Sequence, residues 1–490
     1  MTAPTKRVRH SGESRNPGSL SEGEQREALE VREGPVTPYL AKTKQLRHSR
    51  EAGNPVLTFG DLTESKIDQG GPPEGDEFVY VDISSVDNKL KRIIEPKMLR
   101  VDKAPSRARQ RLRVGDVLVS MTRPNLNAVA FVPASLDHSV GSTGFHVLRA
   151  REGTESKWLF HAVQSPDFVT TMSALVQGAL YPAVRPKEIR AFELEVPPID
   201  EQRRIVAELE TQLTRLDASV AALKRVQANV KRYRASVLKA ACEGRLVPTE
   251  AELARSDGRS AASGGDLLAD ILVSRRKNQK RVANEPSGAV DLPSLPEGWA
   301  WSSLGQCFTV GVGATPSRKE SSYWNGDIPW VSSGEVQFGR ITETHEYITA
   351  TGLENSSTKL NPPGSVLLAM IGQGKTRGQA ALLEIEAANN QNCAAIWVGE
   401  TPIPAKYVYY WLMGRYEETR TRGSGNNQQA LNKYLVEQIP LPIPPITELS
   451  RIVSEVERRL SVIEELEATV AANLKRAERL RQSVLGRAFS

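Results

Sequence analysis

The sequence predicts an α+β protein built twice over: two mixed domains separated by two long helices, the helices forming an antiparallel coiled coil about a pseudo-two-fold internal repeat. Three observations carry this expectation. The phrase PPIDEQRRIVAELETQLTRLD at Pro197 aligns without gaps on PPITELSRIVSEVERRLSVIE at Pro444, 247 residues later. Both phrases open with Pro-Pro and continue in apolar heptad spacing. A fainter similarity extends upstream at nearly the same offset, so the plan is domain, helix, linker, domain, helix.

Each helix is expected to start just after its Pro-Pro, with Asp200 or Thr447 as the capping residue. In the first, Val206, Leu209, Leu213, Leu216, Val220 and Leu223 recur at alternating steps of three and four, the seam of a coiled coil. After Leu223 the apolar series Val226, Val230, Tyr233, Val237 reads as a phase slip. The second helix offers Val453, Val456, Leu460, Ile463, Leu466 and Val470, and pairing is expected to bury one seam against the other. Upstream, GDVLVS from Gly115 faces GSVLLA from Gly364, each a turn glycine feeding a buried strand. Trp158 and Phe160 likewise face Tyr407 and Tyr409.

The boundaries follow from this plan. Residues 1–56 read as a low-complexity tail, 57–197 as the first domain and 198–243 as the central helix. A linker over 244–293, a second domain over 294–444 and a C-terminal helix over 445–490 complete the chain.

Composition narrows the function classes. No apolar run approaches the ~20 residues that span a bilayer, and the N-terminus lacks the apolar core of a secretory signal. Three widely separated cysteines, Cys242, Cys307 and Cys393, make neither a disulfide framework nor a clustered metal site by spacing. A reducing cytoplasm is the expected location. The net charge of +6 is a mild hint of a polyanionic partner, although many basic proteins never touch nucleic acid.

Several longer phrases resemble the specificity subunits of Type I restriction-modification systems. In the first half these are YVDISSVDNK, APSRARQRLRVGDVLVSMTRP, STGFHVLR and LYPAVRPKEI; in the second, LPEGWAWSSLGQ, GATPSRKESSYWNGDIPWVSSGEV, GSVLLAMIGQGKTRGQAA and NNQNCAAI. The two helices resemble the family's central and distal conserved regions. One departure is the opening phrase typical of the family, LPEGWAWSSLG, found here only from Leu295.

The resemblance implies two target-recognition domains, each reading one half of an asymmetric bipartite site on double-stranded DNA, with helices that set the spacer and dock two methyltransferase subunits. Two restriction or motor subunits would join in the full complex. S-adenosylmethionine, ATP and Mg would be used by those partners, with no cofactor bound by this chain and no catalysis of its own.

Candidate DNA contacts are read from charge and placement. Arg107, Arg109, Arg111 and Arg113 alternate, so an extended chain projects them to one side as phosphate or guanine contacts. The competing reading is a solvated edge strand whose charges block aggregation. Arg123 is expected on the loop after the GDVLVS strand, and Lys375, Arg377 and Gln379 on the equivalent loop of the second domain. Arg318 and Lys319 follow a turn, and Asn427 and Gln428 lie in a polar run suited to adenine readout or to a simple flexible turn. Tyr323, Trp324 and Trp330 read as core rather than as a stacking platform.

Other motifs are declined. AMIGQGKT satisfies a loose phosphate-loop pattern, but its first glycine is Ala369 and the duplicate strand runs into SMTRPNL instead. NPPG at Asn361 lacks the aromatic that would wall a flipped base. The six scattered histidines show no HExxH or triad order. Two other classes remain as alternatives: an enzyme fused to its own recognition domain, and a coiled-coil scaffold without DNA.

Overall fold

Each half of the chain opens with a short strand that a hydroxyl residue closes into a helical turn. In the first, Val56–Thr58 is followed by the turn Phe59–Leu62. Thr58 Oγ1 accepts from Asp61 N at 3.2 Å, and Asp61 Oδ2 accepts from Thr58 N at 2.9 Å, a reciprocal capping box. In the second, Ala300–Ser303 leads into Leu304–Cys307, and Ser303 Oγ accepts from Gln306 N at 3.3 Å. Phe59 and Leu304 are both fully buried at the matching place. Each opening strand pairs antiparallel with the strand that precedes the long helix, Val56–Thr58 with Glu193–Glu195 and Ala300–Ser303 with Pro440–Ile443. The opening element that the sequence reading found only at Leu295 is therefore present in both halves, without its tryptophans in the first.

The chain is described by a computed structural model covering residues 53–278, 280–283, 292–372, 374–421 and 430–489. It divides into two units. One joins residues 53–220 with 475–489, and the other is Ala221–Leu474. The tail expected over 1–56 lies outside the described residues up to residue 52.

In the first unit a four-stranded sheet has the order Lys97–Arg100, Glu77–Val81, Val140–Ser142, Ala108–Arg111, with the central pair parallel. Beside it stands an antiparallel three-stranded sheet in the order Phe145–Leu148, Val117–Ser120, Val129–Phe131. In the second unit a five-stranded sheet is centred on Val366–Ala369, flanked by Cys393–Trp397 and Ala380–Leu383. Both central strands are wholly buried, and each follows a glycine in the left-handed region, Gly115 (φ 90°) and Gly364 (φ 83°), where a Cβ would be strained. Trp158 and Tyr407 fill the same role, buried on the helices Ser156–Ala162 and Ala405–Gly414.

The long helices are Ile199–Cys242 and Ile446–Phe489, 44 residues each. They begin one residue before the expected caps, because the carbonyl of the second proline already accepts the first helical bonds: Pro198 O from Gln202 N and Pro445 O from Leu449 N, both 3.0 Å. Asp200 and Thr447 thus sit inside the first turn. Within each unit the helices run antiparallel. In the first unit Val206 and Ile205 share a core with Phe489, while Asp217 pairs with Arg481. In the second, Val230, Val237 and Ala241 share a core with Val453, Val456, Leu460 and Ile463, and Arg234 pairs with Glu467 at 2.8 Å.

This register corrects two expectations. The seam from Val206 meets the end of the second helix, and the seam from Val453 meets the end of the first, because antiparallel chains match starts to ends. No phase slip follows Leu223 either: Val230, Val237 and Ala241 are buried in the original heptad register, whereas Val226 and Tyr233 are exposed. The slip was read because two seam positions carry polar residues, Gln227 and Arg234, beside apolar residues that point outward. Leu466 is exposed for the same reason. The register puts Glu467 on the seam, half-buried, and turns Leu466 away. Val206, Leu209, Leu213, Val453, Val456, Leu460, Ile463 and Val470 are buried, and Leu216, Val220 and Leu223 are half-buried.

The stretch expected as a linker over 244–293 contains two capped helices, Glu250–Asp257 and Gly264–Lys277. They are tied down by charge. Glu250 accepts from Arg259 at 2.6 Å, from Thr447 at 2.9 Å and from Arg451 at 3.0 Å, which together hold its carboxyl down at about 2.

Candidate nucleic-acid interface

In the first unit the basic strand Ala108–Arg111 lies at the edge of its sheet and alternates cleanly. Ala108, Gln110 and Leu112 are buried, while Arg107, Arg109, Arg111 and Arg113 are exposed. Alternation follows from the pleat, and the buried side is anchored by Gln110, whose amide donates to Ser142 O at 2.7 Å and Phe145 O at 3.0 Å. Arg109 donates to Ser106 O at 3.1 Å, and Arg111 lies 3.8 Å from Asp68. Arg107 and Arg113 make no side-chain hydrogen bond or ion pair among the described residues.

A buried ion pair mounts this strand. Asp116, 1% exposed, accepts from Arg149 Nε and Nη2, both at 2.8 Å. The same two residues grip the strand's backbone: Asp116 accepts from Arg113 N at 2.8 Å, and Arg149 donates to Arg111 O at 3.1 Å. The hydrogen bonds that Arg149 donates to Asp116 hold its guanidinium more firmly protonated than usual.

The strand's start is joined to the loop bearing Arg123 through the turn at Thr143–Gly144. Thr143 N donates to Arg107 O at 2.9 Å, and Met121 N donates to Gly144 O at 3.1 Å. Arg123 itself is exposed and left-handed (φ 48°), with its N–H given to Pro182 O at 2.9 Å. The backbone thus links the segments bearing Arg107 and Arg123 through one turn, a connection that sequence spacing alone could not show.

In the second unit the equivalent loop, residues 370–379, carries Lys375, Arg377 and Gln379. Lys375 is exposed, Arg377 and Gln379 half-buried, and Tyr416 donates to Lys375 O at 2.6 Å. This loop joins two antiparallel strands rather than a strand to a helix, so it lacks the helix N-terminus on which a phosphate-binding loop depends. Asn361 of the NPPG phrase is a buried structural residue, donating to Ala387 O and Asn389 Oδ1 and accepting from Trp397 at 3.0 Å.

Arg318 has a different setting from that of a free DNA contact. Its guanidinium lies 3.7 Å from the ring centre of Trp324 and donates to Glu346 at 2.9 Å. Trp330 is buried edge-on to the half-buried Trp324 with ring centres 5.2 Å apart, so Trp330 is core and Trp324 packs at its margin. Lys319, one residue on, is exposed. Asn427 and Gln428 lie outside the described residues. Among the described residues no group of three or more His, Cys, Asp or Glu could hold a metal ion, and no helix is long and apolar enough to cross a membrane.

Sequence reasoning missed Asp116, Arg149 and the apolar tip at Leu180 and Tyr181. The usable signal for the first two was an acidic residue just before one buried strand and an arginine just after the strand that pairs with it.

Residues 296–476 match the family described as the Type I restriction modification DNA specificity domain. Among curated proteins the chain is 26% identical over 238 residues to the EcoR124I/EcoR124II specificity subunit of Escherichia coli, covering 48% of this chain and 56% of that one. It is 22% identical over 330 residues to the EcoDI specificity subunit of the same organism, covering 64% and 65%. The HindI specificity subunit of Haemophilus influenzae is 23% identical over 345 residues, covering 65% and 73%. The first two relatives are thus matched over less than two thirds of their own length. Among solved structures, a chain from a study of complex assembly and conformational transition of the type I R-M system aligns with a TM-score of 0.69 at 23% identity, covering 89% of this chain and 97% of that one. The HsdS subunit of Thermoanaerobacter tengcongensis aligns with a TM-score of 0.53 at 24% identity, covering 90% and 98%. The resemblance to Type I specificity subunits is therefore found independently in sequence and in fold.

Proposed function

Starting from this kinship with Type I specificity subunits, we propose that the chain is the non-catalytic DNA reader of a Type I restriction-modification complex in the cytoplasm. Each domain reads one half of an asymmetric bipartite target. The observation that supports this best is the repeated plan: the same paired strands, capped turn and buried central strand recur in both halves, each followed by a loop that carries cations. An ordinary enzyme has no need to duplicate such a frame while varying the sheets and loops mounted on it. Phosphate contacts from the exposed arginines would fix the register, and loop side chains would select bases.

The long helices dock two methyltransferase subunits and set the unread spacer, and two restriction subunits complete the assembly. Those partners supply the S-adenosylmethionine, ATP and Mg chemistry; this chain supplies position. Exchanging residues 57–197 for the equivalent domain of a relative should alter one half of the methylated motif and spare the other, as read by methylome sequencing. A change in both halves would contradict independent reading. Gel-shift binding with the methyltransferase present separates this reading from a scaffold without DNA, which would give no shift.

The spacer is tested by length. Because the seam keeps one heptad register, insertions should come as whole heptads, one after Leu223 and one opposite it after Leu474. Seven residues add roughly 10 Å of helix, about three base-pair steps. Methylation mapping should then show an altered spacer between unchanged half-sites. Recovery of the original spacer from the folded variant would show that the helices are not the ruler.

A further inference from the structure

The two most exposed large apolar side chains among the described residues are neighbours, Leu180 at 87% and Tyr181 at 86%. Scattered apolar residues on a surface are ordinary, but these two stand on a stiff mount. Immediately after them, residues 182–184 are pinned against residues 121–123: Arg123 N donates to Pro182 O at 2.9 Å, Val184 N donates to Met121 O at 2.8 Å, and Thr122 and Ala183 form an antiparallel bridge. Val184 is buried in the core of the unit. On the other side the chain arrives from the helix Pro166–Ala174 by way of Gly178 in the left-handed region (φ 82°). The result is a short projecting tip on a fixed base.

The base is cationic. Arg123, Arg185 and Lys187 are exposed in the two segments that hold the tip, and Arg107 is connected to Arg123 through the Thr143–Gly144 turn. An apolar point on a mount that carries cations is complementary to a partner that is anionic outside and apolar within. A DNA duplex is such a partner, with a sheath of phosphates around a stack of bases.

We propose that Leu180 and Tyr181 form a wedge that enters the half-site read by the first domain and parts one base step, the aromatic ring stacking where neighbouring bases separate. Apolar wedges of this kind unstack and kink duplexes in minor-groove binders, and a ring accepts any base because every base has a π face. The wedge rests on the reading of the chain as a DNA-specificity subunit. It adds a source of specificity beyond hydrogen bonding, since steps differ in how readily they open.

The test uses the full chain assembled with its methyltransferase and a duplex carrying the motif methylated in the source strain. 2-Aminopurine replaces one base at a time. Its emission is expected to rise at one step, apart from the methylated base, within the half-site that changes on exchange of the first domain. Tyr181→Ala should abolish that rise and weaken binding about tenfold, while Tyr181→Phe keeps both. Because Tyr181 touches so little of the protein, Tyr181→Ala should fold normally.

If the wild-type complex binds the duplex but Tyr181→Ala matches it in emission and affinity, the wedge is wrong and the DNA-reading function stands. Failure of the wild-type complex to bind any duplex sinks both. Tyr181-dependent binding to anionic phospholipid vesicles, with none to DNA, would assign the tip to a membrane surface and overturn the proposal.

Discussion

Asp116→Ala removes one partner of a buried ion pair and leaves the other behind. Arg149 has a side chain only 10% exposed, and Asp116 only 1%. Breaking a pair this deep leaves a largely buried guanidinium with only the partly exposed Glu64, 3.8 Å away, as counter-charge, which costs about 3–5 kcal/mol. For a cooperative unit of 150–250 residues each kcal/mol moves the midpoint by roughly 2–4 °C, so one calorimetric transition of the full chain should fall by roughly 6–20 °C. Because Asp116 also accepts from Arg113 N and Arg149 donates to Arg111 O, the arginine strand should loosen and DNA affinity should drop as well. Asp116→Leu combined with Arg149→Met should recover much of the lost stability, since an apolar replacement leaves no stranded charge. A shift below about 3 °C in the single variant, equivalent to roughly 1 kcal/mol, would refute the idea that this pair is buried and structural. A double variant as unstable as the sum of the singles would deny the coupling between them.

Burial lowers His146 and His161 to about 4 from an ordinary 6.5, so each is held neutral in the fold and charges more readily when unfolded. Their contribution is complete above pH 6.5 and is lost as pH falls toward 4, by at most about 1.4 kcal/mol per pH unit for each; a urea midpoint unchanged between pH 7 and 5 would contradict this, and His161→Phe should flatten the slope. The Arg234–Glu467 pair on the helix seam is only part-buried, so Glu467→Ala should cost no more than about 1 kcal/mol, whereas leucine at both positions should raise the melting temperature by continuing the apolar seam. Arg107→Ala or Arg109→Ala should weaken DNA binding and reduce its salt slope by about one contact; equal affinity at low salt would return these arginines to a solvated edge. Lys375→Ala should leave ATP turnover of the assembled enzyme unchanged, and loss of nucleotide binding by the isolated chain would reverse that expectation.

The repeat made the architecture readable, because a duplicated Pro-Pro helix start and a duplicated turn glycine before a buried strand are local patterns. The opening strand of the first half was less visible. Thr58-Phe59-Gly60-Asp61-Leu62 and Ser303-Leu304-Gly305-Gln306-Cys307 share a cap, a buried apolar residue and a glycine, but hardly an identical residue. The helix register was misread where polar seam residues, Gln227, Arg234 and Glu467, stood beside exposed apolar ones; only the partner helix decides which of two adjacent stripes is inside. At the candidate site, alternation correctly exposed Arg107 to Arg113, yet nothing local links Arg107 to Arg123, since the turn joining them is some twenty to forty residues away in the chain. Arg318 shows the converse, a surface cation occupied by a carboxylate that follows it by 28 residues.

The paired strands at the mouth of each domain have a consequence for inheritance. Val56 lies opposite Glu195, and Ala300 opposite Ile443, so the backbone enters and leaves each domain one strand spacing apart, about 4.8 Å. A crossover between two genes that cuts at both strands returns the chain to the same doorway whatever fold detail lies inside. The interior can then drift, lengthen its loops or be replaced outright while the helix beyond receives the chain at an unaltered position and angle. Two cuts in one gene would thus exchange a whole domain without disturbing the helices on either side of it.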